Sequence, residues 1–125
     1  MRLIVRETGG ERPVSEGTPG AEADDGGLTI VTMRFDAADP DRLLAVLAKY
    51  VVLTRMHDGC RNVDLCASVT TPGRYLVVEK WATGAAQRAH FDSPDMVQMA
   101  ESCRGLLTGP PDIDLLEGVS AHDLR

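Results

Sequence analysis

Between Cys60 and Trp81 the chain spells out a β-hairpin, and that hairpin limits what the rest can be. Cys60–Thr70 alternates, with Val63, Leu65, Ala67 and Val69 on one side and Asn62, Asp64, Cys66 and Ser68 on the other. Thr71-Pro72-Gly73 has the chemistry of a turn. Arg74–Trp81 then returns with Tyr75, Val77, Glu79 and Trp81 on one face and Arg74, Leu76, Val78 and Lys80 on the other. A period of two decides which side chains can share a core, so the flanking segments must cover one face of this pair.

The flanks supply what is needed. Leu28–Phe35 is rich in β-branched and apolar residues and reads as a strand. Asp39 can cap a helix, and Pro40 suits its first position, where the missing N–H would be unpaired anyway. Leu43, Val46, Leu47, Tyr50, Val51 and Leu53 then recur at helical spacing to about Met56, and Asp58-Gly59 ends the run. After the hairpin, Thr83 opens a short helix carrying His90 and Phe91, and Ser93-Pro94-Asp95 restarts it. Met96, Met99, Ala100, Cys103 and Leu107 form the stripe of that second segment. Pro110-Pro111 breaks the chain, and Asp112–Ser120 reads as a last strand.

The order is β-α-β-β-α-β. This is the split βαβ, ferredoxin-like arrangement of the α+β class: a four-stranded antiparallel sheet with its helices on one face. The other face has no cover within the chain, so a second copy stacked sheet to sheet is expected, giving a homodimer.

Residues 1–27 differ in kind. They hold 6 of the 12 glycines and carry three Arg against six acids. Such a segment buries too little to offset the entropy of ordering it. It reads as a flexible N-terminal extension, with a possible edge strand at Arg2–Arg6, ahead of a working domain at 28–125.

Charge and cysteine usage remove several function classes. The net charge of −6 disfavours a nucleic-acid partner, which needs clustered cations. No apolar run approaches the ~20 residues of a membrane span, and Leu3-Ile4-Val5 is too short for a signal-peptide core. Three cysteines, an odd number, argue against a disulfide framework and for the cytoplasm. Cys60 and Cys66, six apart on one strand and so roughly 20 Å from each other, cannot share a metal. No metal site is expected.

What remains for chemistry is a strand end and the helix after it. A Trp and a His facing across a sheet–helix gap could grip a flat aromatic ligand, the indole stacking and the imidazole moving a proton. The alternative has Trp81 filling the core and His90 capping a carbonyl or facing solvent. His57, at a helix C-terminus, is read as favourable with the helix dipole. His122, in the tail, is read as inert.

Gly59-Cys60, the hairpin ending Glu79-Lys80-Trp81, and Ala89-His90-Phe91-Asp92-Ser93-Pro94 together resemble the antibiotic biosynthesis monooxygenase family. The resemblance spans about residues 28–120. It implies a ferredoxin-like protomer paired into a dimeric α+β barrel. It also implies oxygen chemistry without metal or flavin, on quinols, anthrones or related phenols, with dioxygen as co-substrate and no cofactor. Under it, Trp81 lines the pocket and His90 moves a proton or bonds the substrate oxygen. Tyr75, Val77 and Phe91 become wall residues, and Glu79 a structural hydrogen-bonding or dimer-side residue. The haem-degrading branch pairs its Trp and His with an Asn in the first strand. Leu28–Phe35 contains none, which disfavours haem. A non-catalytic dimeric module binding a small hydrophobic molecule is the competing reading.

Overall fold

A computed structural model describes residues 4–7 and 27–121. Strands β1 (Ile4–Glu7) and β2 (Thr29–Asp36) are followed by helix α1 (Pro40–Thr54). The hairpin β3 (Cys60–Ala67) and β4 (Arg74–Trp81) leads to α2 (Gly84–Phe91), α3 (Pro94–Ser102) and β5 (Asp112–Glu117). The sheet order is β1-β5-β2-β4-β3, antiparallel throughout its four core strands. The ferredoxin-like α+β arrangement expected from the hairpin and its flanks is present.

The possible edge strand at Arg2–Arg6 is met, shifted along the chain, by Ile4–Glu7: among the described residues the sheet has five strands, because this segment runs parallel to β5, pairing Ile4 with Asp112 and Glu7 with Leu115. The rest of the proposed extension, and His122, lie outside the described residues. The first hairpin strand stops at Ala67 instead of Thr70, and Val69 is 98% exposed. Ser68 explains the early stop: its hydroxyl accepts from the Thr70 and Thr71 amides, giving the backbone a local turn in place of a ladder.

Each helix starts where its cap says. Asp39 accepts from the Arg42 amide, Thr83 from Ala86 and Ser93 from Met96, so orphan first-turn donors are satisfied. Leu43, Leu47, Tyr50, Val51 and Thr54 form the buried face of α1. They meet Val31, Met33, Phe35, Val63, Val77, Trp81 and Ile113 of the sheet, with Met96, Met99 and Cys103 completing the core. Ile30, Leu76, Val78 and Leu116 lie on the other face, which no described element covers.

One close approach positions the functional end of the sheet. Gly59 has φ +81°, and a Cβ there would meet the Ala86 Cβ at 2.5 Å. Only glycine lets the turn into β3 sit this near α2. Arg61 then falls in a register shift between Cys60 and Asn62, so that Cys60 pairs with Trp81 and Asn62 with Lys80.

Candidate functional site

Beside that turn a buried polar cluster runs through the core. Tyr50 reaches it from α1, Glu79 and Trp81 from β4, and His90 from the last turn of α2. The Tyr50 hydroxyl is 2.5 Å from Glu79 Oε2 and 2.8 Å from His90 Nε2. Trp81 Nε1 donates to Glu79 Oε1 at 3.0 Å. Trp81 and Glu79 are 0% and 2% exposed, and His90 is 3% exposed. These four side chains therefore sit in a low-dielectric interior, where satisfied polar groups are strongly coupled.

His90 Nδ1 is the exception. It is buried and has no hydrogen-bond partner among the described residues. A second pair approaches the same ring: His57 Nε2 lies 2.8 Å from Asp95 Oδ2, and the His57 ring meets His90 edge-on with centroids 4.6 Å apart. Burial pushes the His90 imidazole down to about 4, with His57 adding to the shift. It is therefore neutral at pH 7. Burial pushes the Glu79 carboxyl up, against the hydrogen bonds from Tyr50 and Trp81 that favour its anion. The Tyr50 phenol is also pushed up, first by burial and then by the Glu79 charge, so it keeps its proton.

A groove of about 190 Å³ opens between α1 and α3. Val46, Leu53 and Met99 give it apolar walls, and Lys49 stands among its lining residues. Tyr50 and Asp95 belong both to this groove and to the groups around His90. Its volume is below the ~300–1,000 Å³ of common small-molecule pockets, so it suits a compact ligand.

Of the residues picked from sequence, the structure brings Trp81 and His90 together, but more closely than expected. Their rings stack directly, with centroids 4.8 Å apart and planes at 29°, so no flat ligand lies between them. Val77 is buried in the core two positions before Glu79, and Phe91 packs partly buried against that core. Tyr75 pairs with Phe35 and Ala67 at the far end of β4, roughly 20 Å from Trp81 by strand rise. Glu79 faces the helices, not the open face. Tyr50 escaped the sequence reading because its place in a helical stripe made it look like ordinary core. In the sequence His57 is marked only by its place at a helix C-terminus, and its bond to Asp95 and contact with His90 bring it here. Among the described residues no group of three His, Cys, Asp or Glu side chains could hold a metal ion. No helix among them is long and apolar enough to cross a membrane.

The antibiotic biosynthesis monooxygenase family model matches residues 28–102, which include the hairpin, Trp81, His90 and the Ser93-Pro94 step. The chain belongs to this family. Solved structures agree on the fold. A protein of unknown function from Nitrosomonas europaea is 20% identical and superposes with a TM-score of 0.71 over 80% of this chain and 97% of its own. A Mycobacterium tuberculosis protein is 28% identical, with a TM-score of 0.66 over 78% and 99%. A proposed antibiotic biosynthesis monooxygenase from Deinococcus radiodurans is 22% identical, with a TM-score of 0.68 over 78% and 98%. No curated protein matches the sequence.

Proposed function

We propose that this family member is a monooxygenase that oxidises a compact quinol or related hydroxylated aromatic with dioxygen, without a metal or flavin. The observation that carries the reading is the buried Nδ1 of a neutral His90, unpartnered among the described residues, with the ring held in place by Tyr50 through the other nitrogen. A general base needs a fixed lone pair within reach of the proton that it removes. His90 Nδ1 takes the phenolic proton, and the electron-rich anion passes an electron to dioxygen. The substrate supplies all four electrons, so one oxygen atom enters the ring and the other leaves as water. The substrate thus does the work of a flavin.

Trp81 buttresses His90 in this reading and does not stack on the substrate. The groove between α1 and α3 supplies the apolar wall, and its volume favours one or two rings over a tricyclic anthrone. The open sheet face, with Ile30, Leu76, Val78 and Leu116, favours a homodimer paired face to face. The odd number of cysteines, three, favours the cytoplasm over a disulfide-bonded exported protein.

Oxygen uptake by the purified protein over a panel of quinols and anthrones, with His90→Ala run beside it, tests the assignment. Uptake above autoxidation that falls in the variant supports it; equal uptake by both removes His90 from the chemistry. The closed stacking of Trp81 on His90 favours a second reading, a dimeric module that binds small aromatics without turnover. Saturable binding of a quinol with no oxygen uptake would support that one.

A further inference from the structure

Tyr50 has one proton to give and two strong partners, Glu79 Oε2 at 2.5 Å and His90 Nε2 at 2.8 Å. Met96 Sδ, at 3.6 Å, is a weaker third neighbour. A phenol that donates to one partner must accept a proton from the other. Two arrangements satisfy the chain. In the first, Glu79 is a carboxylate receiving Trp81 Nε1–H and Tyr50 O–H, His90 donates Nε2–H to Tyr50, and Nδ1 is a bare lone pair. In the second, Glu79 carries a proton and donates it to Tyr50, Tyr50 donates to Nε2, and Nδ1 bears the hydrogen. The two differ by one proton, and the imidazole is neutral in both.

We propose that Glu79 is the terminal proton acceptor of this site, filled through Tyr50 when His90 Nδ1 takes a proton from the substrate. The proposal rests on the reading of His90 as the base. The step balances: the substrate X–H bond breaks and Nδ1–H forms, the Nε2 proton moves to the Tyr50 oxygen, and the Tyr50 proton moves to Glu79 Oε2. The bonding electrons stay on the substrate, whose new negative charge replaces the one lost by Glu79. Tyr50 and Glu79 act through His90 and are positioning residues.

The relay removes a difficulty. An imidazole held down at about 4 is a poor base by itself, because its cation would be buried against the Trp81, Tyr50 and His57 rings. Passing the proton to a carboxyl whose burial favours the neutral form avoids that cation. The titratable groups around the chain are Tyr50 from α1, His57 just after it, Cys60 from β3 and Asp95 from α3. On the neighbouring strand β2 the residue paired with Glu79 is Val31, which is apolar.

Nitrogen-15 NMR of His90 in the full chain, free of substrate, titrated over roughly pH 5 to 9, reads the relay directly. Neutral Nε2–H at high pH should give way to neutral Nδ1–H as the pH falls, before any imidazolium forms. Glu79→Gln should hold His90 as Nδ1–H at every pH, since a Gln amide can donate to Tyr50 permanently. Tyr50→Phe should abolish the switch and, with an active substrate, lower kcat roughly 100-fold or more. A wild-type His90 that keeps one tautomer, or passes from Nε2–H straight to imidazolium, overturns the proposal, and this wild-type titration decides even where a variant fails to fold. No substrate enters the titration, so absent oxygen uptake would count against the monooxygenase reading and leave the tautomer result standing.

Discussion

Trp81 and His90 lie ring on ring at 4.8 Å although nine residues and a change from strand to helix separate them. The contact joins the end of β4 to the end of α2, and Glu79 and Tyr50 close the loop around it. A cluster whose members come from three elements and hydrogen-bond one another is rigid on the scale a proton transfer needs.

Acid should weaken the fold through His90. Its folded value, about 4, lies below the ordinary 6.5, so between these the unfolded chain binds a proton that the folded chain refuses. The stability from neutral His90 is full above about pH 6.5 and is lost as the pH falls to about 4, at up to ~1.4 kcal/mol per unit. Glu79 has the opposite sign: its raised value favours the fold below 4.5 and loses stability as the pH rises through the folded value. Urea unfolding near pH 7 and pH 4.5 should show the wild type losing about 2 kcal/mol more than His90→Gln. Equal losses would mean that His90 is protonated in the fold.

Trp81→Phe keeps an aromatic ring but removes the donor to Glu79 Oε1 and leaves space in the core. A cost of about 2–4 kcal/mol follows from the lost volume and the unpaired carboxyl oxygen. Chemical denaturation measures it, and a cost under about 0.5 kcal/mol would show that neither effect operates.

Gly59→Ala should destabilise by about 2 kcal/mol or more, from the positive φ and the clash with Ala86. Adding Ala86→Gly relieves the clash but not the backbone strain, so the double variant should recover part of the loss. Full recovery would assign the whole cost to packing, and none would assign it to the backbone.

Val78→Glu places a charge on the open face, opposite Thr32 and Asp64. Sedimentation should then show half the wild-type mass with unchanged circular dichroism. A monomeric wild type, or a variant still paired, would remove this face from the interface.

Much of the fold was legible because caps, turns and periodicity act locally. Asp39-Pro40, Thr83 and Ser93-Pro94 mark three helix starts, and each cap is observed. The strand end at Ala67 was missed because Ser68 competes for backbone amides, an effect that alternation does not register. Trp81 and His90 could be paired from their spacing and motif. Tyr50 and His57 could not, since each sits more than thirty residues from His90 and joins it only through the packing of α1 on the sheet.

The short strand β1 has its own consequence. It occupies the outer backbone edge of β5 from Asp112 to Leu115, so both sides of β5 are engaged along that stretch. A chain begun at Leu28 would strip those amides and carbonyls of their partners and turn a covered margin into a template for strand addition by a neighbouring copy. Ile4–Glu7 therefore covers this stretch of β5 from within the chain, and shortening the protein to its family-matching region would leave that edge open.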